Sequence, residues 1–193
     1  ALHYLEAQLK PPALGFNLFG HPEADDIYAE VAGWPEIIDI EGMSFALPAG
    51  TRFEEEPDPP MHRQSFAARQ AIEALSPETW REPVWDACAG RGGKTRILLE
   101  KELDVFASDP HQGRLDALKY ELPGVRTFMA NAATAKAPHT PGSVLLDLPC
   151  SGLGVLSRRP DTKWKRKTSD LADLTVLQAE ILQNTTDQVK SGG

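Results

Sequence analysis

Val84-Trp85-Asp86-Ala87-Cys88-Ala89-Gly90-Arg91-Gly92-Gly93-Lys94-Thr95 is the stretch on which the reading of this chain turns. Val84–Cys88 has the composition of a strand, and Lys94–Lys101 that of a helix. Between them lie three glycines, so a strand passes through a tight turn into a helix. Glycines let the backbone bend sharply and approach a ligand closely. The N-terminus of the following helix offers unpaired N–H groups to an anion. A tight βα turn with no ligand is the plain alternative.

Working outward, the alternation continues. Val105–Ser108 reads as a strand, Gln112–Tyr120 as a helix, and Val125–Met129 and Val144–Leu148 as further strands. Leu171, Leu174, Leu177, Ile181 and Leu182 form the apolar stripe of a long last helix, which Ser169 or Asp170 is placed to cap. Strands alternating with helices predict an α/β fold, a mainly parallel sheet with helices on its faces. Ligands of such sheets sit beyond the carboxyl ends of the strands.

The N-terminal part differs. Leu14–Phe19, Ile37–Ile40 and Met43–Leu47 read as strands, and Glu23–Val31 as a helix. The acidic, proline-rich run Glu54–Pro60 is the natural linker, and Gln64–Leu75 reads as a helix after it. The expected division is therefore a small α+β subdomain with its linker over 1–60 and the α/β domain over 61–193.

Composition is that of a globular protein, with 41% hydrophobic and 25% charged residues. No apolar run reaches the roughly 20 residues of a membrane span. Cys88 and Cys150 are too few for a disulfide framework, which favours a cytoplasmic protein with free thiols. The net charge of -8 argues against binding nucleic acid through the whole surface. It leaves room for a local basic patch, and Arg158, Arg159, Lys163, Lys165, Arg166 and Lys167 crowd one segment around Trp164. Such a segment suits phosphates and a stacked base; a solvated charge run is the alternative.

Two readings of the glycine turn compete. Gly93-Lys94-Thr95 looks like the end of a P-loop, but Cys88 stands where that motif begins with glycine. A nucleoside cofactor fits better, because Asp109 follows the second strand 19 positions after Gly90, where a ribose partner belongs. Asp147-Leu148-Pro149-Cys150-Ser151-Gly152 then sets a carboxylate and a thiol at another strand end. A strand-end buried Cys with a capping Asp remains open there.

Taken in order, these pieces resemble the RNA cytosine-5 methyltransferases of the Fmu/Sun (ribosomal small-subunit methyltransferase B) and Nop2/Sun type. The resemblance rests on Pro12–Asn17, on the loop 86–95, and on Asp109 with Arg114-Leu115. It rests further on Asp147-x-Pro149-Cys150-Ser151-Gly152, Arg159-Pro160-Asp161-x-Lys163-Trp164, Gln178, Ile181-Leu182 and Val189-Lys190-x-Gly192-Gly193. It implies a Rossmann-like class I S-adenosylmethionine methyltransferase sheet behind a small N-terminal α+β subdomain. No metal and no membrane partner are implied, and ribosomal RNA stands ahead of transfer RNA as the partner.

The resemblance also implies roles. Cys88, Ala89, Gly90, Arg91, Gly92, Gly93 and Lys94 would hold the methionine part of the cofactor, Asp109 its ribose and Asn131 its adenine. Asp147 would contact the target cytosine and lie near the cofactor. Cys150 would assist release of product, and Arg158, Arg159, Lys163, Trp164, Lys165 and Arg166 would hold RNA. C5 of cytosine becomes nucleophilic when a thiolate adds at C6 and a group at the N3/N4 edge assists. Asp147 suits that edge if burial raises its pKa. The family's attacking cysteine lies in a Thr-Cys motif on the strand after the Gly-Gly turn, whereas the sequence stops at Gly193, so the C-terminal strands are expected to be missing. Two other departures stand out. Gly90-Arg91 replaces the usual Ala-Pro, so the loop shape or the Arg side chain is expected to differ. Asn131 replaces the usual Asp, which predicts weakened binding. Three further readings are a binding domain without chemistry, an enzyme with Cys150 as nucleophile, and a P-loop NTPase.

Overall fold

A computed structural model describes residues 10, 12–53 and 58–191, and of Lys163 only the backbone. Most of the proline-rich linker, residues 54–57, and Gly192-Gly193 lie outside the described residues. Residue contacts divide the chain into two units. One takes the chain up to Ala71 together with Ser151–Arg166; the other takes Ile72–Cys150 and the chain from Lys167. The expected boundary at residue 60 thus differs from the observed one.

The first unit is an antiparallel sheet of four strands, β1 (Leu14–Asn17), β2 (Asp39–Glu41), β3 (Ser44–Leu47) and β4 (His62–Arg63), in the order β2-β3-β1-β4. Helix α1 (Ala24–Val31) supplies Ile27 and Val31 to a core with Phe16, Leu18, Phe45, Leu47 and Met61. β1 stops before Phe19 because the Phe19 N–H donates to the Asn17 side chain (2.7 Å). β4 is two residues long, too short for any periodicity to announce, and it draws residues 61–63 into this sheet. Gly15 permits the close approach: a Cβ there would lie 2.1 Å from the Gln64 carbonyl oxygen. Buried beside it, the Asn17 amide donates to Ser44 Oγ and Gln64 Oε1, both at 3.0 Å. A buried polar cluster satisfied in this way fixes the strand register.

Helix α2 (Phe66–Glu73) follows, and its Ile72 lies in the core of the second unit. That unit is a parallel sheet of β5 (Val84–Asp86), β6 (Val105–Asp109), β7 (Arg126–Met129) and β8 (Ser143–Leu145), in the order β7-β6-β5-β8. Helices α3 (Gly93–Glu100) and α4 (Gln112–Glu121) connect consecutive strands. The strand period of two sends Val84 and Val105 to one face, with Ile97 and Leu98 of α3. Trp85 and Phe106 go to the other face, with Ile181 of the last helix. The Trp85 and Phe106 rings stack at 6.1 Å with an 8° interplanar angle. Such a pair adds about 0.5–1.5 kcal/mol beyond area burial.

Three details differ from expectation. The strand expected over 144–148 ends at Leu145, because β5, its ladder neighbour among the described residues, turns into the glycine loop after Asp86. In the first unit the basic segment contains a short helix, α5 (Thr162–Lys165). The long helix α6 (Thr168–Thr186) starts two or three residues earlier than a cap at Ser169 or Asp170 would set it, with Lys167 extended in front of it and Ser169 already inside its first turn. Asp170 is therefore not the cap; it lies in the first turn and accepts from the Lys167 N–H at 3.1 Å. Among the described residues no helix is long and apolar enough to cross a membrane.

Candidate active site

The glycine loop leaves β5 at Asp86 and is held from the side by the end of β6. Ser108, fully buried, donates from Oγ to the Ala87 carbonyl (3.1 Å) and accepts from Trp85 Nε1 (3.0 Å). Its own carbonyl accepts from the Ala89 N–H (2.9 Å). The Gly90 N–H donates to Asp109 Oδ2 (3.1 Å). Two of the N–H groups expected to face the cofactor are thus already engaged by the next strand. Gly92 carries φ +86°, and a Cβ there would lie 2.9 Å from Leu118 Cγ of α4. Its glycine identity is required both by φ and by this contact.

Beneath the loop lies Asp86, with no solvent exposure. Thr95 Oγ1 donates to its Oδ2 at 2.7 Å, while Oδ1 is buried without a hydrogen bond of its own. Burial pushes this carboxyl from the ordinary 3.8 up to about 6; the Thr95 bond and the charge of Lys94 pull the other way. Cys88 is half-buried above it, and burial, followed by the charges of Asp86, Asp109 and Asp147, pushes its thiol up to about 12. Cys88 is therefore a neutral packing thiol, and three carboxylates surround it closely enough to act on it.

Asp109 is buried and has two partner residues besides Gly90, His111 and Arg114. Its Oδ1 accepts from the His111 backbone N–H (2.9 Å) and meets His111 Nδ1 (3.1 Å); Arg114 lies at 3.4 Å from Oδ2. Asp109 is thereby enclosed by its neighbours, and Arg114, half-exposed, marks the open side. Asn131 is exposed at the end of β7, with its Oδ1 accepting from the Ala133 N–H at 3.0 Å. The oxygen expected to face an adenine is thus shared with a local turn.

Asp147 forms an ion pair with Lys94, which joins the β8 end to the first turn of α3. The Asp147 side chain is 54% exposed, so it does not stand in the closed surroundings expected for it. Cys150 is exposed, which removes the buried strand-end reading. Gln178 of α6 holds the segment between them by donating to the Pro149 carbonyl at 2.8 Å. Arg91 turns away from the loop toward Glu121 of α4 (3.3 Å) and remains 71% exposed. Glu121 also meets Arg96, whose pKa is lowered by burial, with the Glu121 charge and hydrogen bond opposing it only in part. The replacement of Ala-Pro by Gly90-Arg91 therefore leaves the loop free of the Arg side chain.

The basic segment belongs to the other unit. A single 3₁₀ turn (Leu153–Val155) leads to Arg158 and Arg159, whose N–H groups both donate to the Val155 carbonyl. Arg166 Nε donates to the Ser151 carbonyl at 2.8 Å, closing the segment on itself. Lys165 pairs with Asp161, whose carboxyl that hydrogen bond and then the Lys165 charge hold below its ordinary pKa. Trp164 is 81% exposed. Of Lys163 the side chain lies outside the described residues.

Asp86, Thr95, Ser108 and Glu121 were not assigned from sequence. A charge inside the apolar run Val84–Ala87 was the signal for Asp86, and the threonine closing the glycine motif that for Thr95. Glu121, a helix-end acid, carried none.

Against known proteins, residues 72–193 match the model of a family described as 16S rRNA methyltransferase RsmB/F, more than half of the chain. A ribosomal RNA small subunit methyltransferase B of Serratia proteamaculans is 36% identical over 139 residues, and one of Vibrio cholerae 38% over 139. Each comparison covers 67% of this chain and 32% of the relative, so the chain spans about a third of the length of these relatives. A methyltransferase homolog of Pyrococcus horikoshii, known as a crystal structure, superposes on the whole chain with a TM-score of 0.72 at 21% identity and 66% coverage of its own length. The parallel sheet with helices on its faces is therefore that of a Rossmann-like methyltransferase fold, and the chain belongs to the 16S rRNA methyltransferase RsmB/F family.

Proposed function

We propose that this chain is part of an enzyme that transfers a methyl group from S-adenosylmethionine to C5 of cytosine in ribosomal RNA, in the cytoplasm. The observation that carries the reading is the Lys94–Asp147 pair, which sets a carboxylate of one strand end against the helix that the glycine loop opens. The surroundings suit the cofactor's charge. Asp86, Asp109 and Asp147 all act on Cys88 within the loop, and a negative site of this kind favours a ligand bearing sulfonium and ammonium groups.

Bound here, the cofactor supplies an electrophilic methyl group. The loop Cys88–Lys94 is assigned to its methionine end, with Lys94 facing the carboxylate. Asp109 is assigned to the ribose hydroxyls, on the side where Arg114 is exposed. Asn131 is assigned to the adenine edge, weakened because its oxygen already serves Ala133. Asp147, exposed and held by Lys94, is assigned to the N3/N4 edge of the cytosine. A thiolate adds to C6 and makes C5 nucleophilic; after transfer the C5 proton leaves and the thiolate is expelled. That attack is assigned to a cysteine of the parent protein outside residues 1–193, and Cys150 to the release step. Arg158, Arg159, Lys163, Lys165 and Arg166 would meet phosphates, and Trp164 an unstacked base.

The test has two arms. Calorimetry of the protein with S-adenosylhomocysteine measures cofactor binding, and its absence refutes the cofactor assignment. Nucleoside mass spectrometry of 16S rRNA treated with the parent enzyme measures the product. 5-Methylcytidine supports the reading; a methyl group on any other atom refutes it.

A further inference from the structure

Asp86 is a fully buried carboxylate that none of the roles above uses, and its position in the chain is informative. It is the last residue of β5, and Thr95 is the third residue of α3. Their 2.7 Å hydrogen bond therefore spans the glycine loop from end to end. Other hydrogen bonds that hold the loop come from Ser108 and Asp109, at Ala87, Ala89 and Gly90, from the Leu145 carbonyl, which accepts from the Ala87 N–H, and from the Ala89 carbonyl, which accepts from the Gly92 N–H. In its second half Gly92 packs against Leu118, yet Lys94 and its contact with Asp147 depend on where the first turn of α3 stands. Carboxylates are costly to bury, and Asp86 buries one with its Oδ1 left without a hydrogen bond. Core packing alone would be served better by an apolar residue.

We propose that Asp86 and Thr95 are positioning residues for the cofactor: their buried hydrogen bond closes the base of the glycine loop and sets the helix end that carries Lys94. This rests on the cofactor reading above. Neither side chain touches the cofactor in this scheme. Both act through the loop backbone and Lys94.

The experiment compares the unaltered protein with Thr95→Val and Thr95→Ser. Each is assayed for S-adenosylhomocysteine affinity by calorimetry, for loop hydrogen exchange over residues 87–94, and for thermal stability. Valine keeps the shape and removes the donor; serine keeps the donor. The expected result is affinity weakened roughly tenfold or more in Thr95→Val, the scale of a hydrogen bond to a charged group. Faster exchange in the loop should accompany it, and Thr95→Ser should bind within about threefold of the unaltered protein on the same scale. Equal affinity in Thr95→Val and the unaltered protein overturns the proposal, whatever happens to the melting temperature. So does a Thr95→Ser protein that binds as weakly as Thr95→Val while its melting temperature is unchanged. If Thr95→Val does not fold, Thr95→Ala takes its place, since it also removes the donor to Asp86: a roughly tenfold loss of affinity with faster loop exchange supports the brace and retained affinity overturns it. An unaltered protein that binds no S-adenosylhomocysteine refutes the cofactor reading instead, and the two failures are distinct.

Discussion

Replacing Gly92 by alanine tests the loop geometry most directly. The residue has φ +86°, a conformation that costs an L-residue about 1–2 kcal/mol. The new Cβ would also stand 2.9 Å from Leu118 Cγ and 3.2 Å from Leu122 Cδ1. Both side chains are buried against Ala107, so neither can swing away freely. Overpacking of this kind costs about 1–3 kcal/mol. The sum, about 2–5 kcal/mol, is a large part of the 5–15 kcal/mol typical of a domain. Native-state hydrogen exchange at the amides of Val84–Asp86 and Val105–Asp109 measures it within this unit. The two costs separate in a cycle with Leu118→Ala. In that background the contact with Leu118 is relieved, and Gly92→Ala should cost the backbone part and what remains of the 3.2 Å contact with Leu122. A cost below about 0.5 kcal/mol, or an equal cost in both backgrounds, would refute the reasoning.

Other outcomes follow from the same geometry. Asp86 has its folded pKa raised to about 6, so between about pH 4 and 6 the native state binds the extra proton and stability falls as pH rises. The shift corresponds to about 3 kcal/mol lost by neutral pH. Lys94, Asp147 and Cys88 are the charged or titratable groups acting on it, so the difference in melting temperature between the unaltered protein and Asp86→Asn isolates its part across this window. A difference that does not change from pH 4 to 7 contradicts the assignment. In thiol labelling at pH 8, Cys150 should react and Cys88 should not until denaturant is added; equal rates would show that Cys88 is not held neutral. Arg91→Ala should leave cofactor affinity and stability within about 0.5 kcal/mol, because Arg91 is exposed and Glu121 keeps its pair with Arg96; a tenfold weaker affinity in calorimetry would place Arg91 at the ligand. Trp164→Ala should weaken binding of single-stranded RNA by about 1–3 kcal/mol with an unchanged salt slope, whereas Arg159→Ala should reduce the slope by about one; fluorescence titrations at several salt concentrations distinguish them.

Regular features were legible in the sequence because period and turn chemistry report them locally. Val84–Asp86, Gly93–Glu100 and Val105–Asp109 fall within a few residues of where the pattern set them. β4 and the early end of β8 were not legible, since each is decided by a partner strand far along the chain. At the site, Asp109 and Asp147 could be picked out as carboxylates at strand ends. Their surroundings could not. That Asp109 is wrapped by His111 and Arg114 while Asp147 stays exposed beside Lys94 depends on side-chain directions that spacing does not encode. Arg91 shows the same limit. In sequence it interrupts a cofactor loop, but in three dimensions it leans on a helix 30 residues away.

These surroundings have a common logic. A loop rich in glycine is flexible, and Gly90 and Gly92 give it no side-chain packing of its own. Rigidity has to be supplied by its neighbours, and here it comes from polar groups rather than apolar ones: Ser108 and Asp109 on one flank, Asp86 and Thr95 below. Such groups are directional, so they fix a backbone shape that greasy contacts would only confine. They are also expensive. The raised pKa of Asp86 means that the charged form costs stability at neutral pH, where a protein under selection for stability alone would replace it. Strain retained in this way is expected beneath a site whose shape must be exact before its ligand arrives, because ordering the loop on binding would subtract from affinity. The cost at Asp86 and the shape of the loop are then two readings of one constraint. A substitution that relieves the first without loosening the second would show that they are separable.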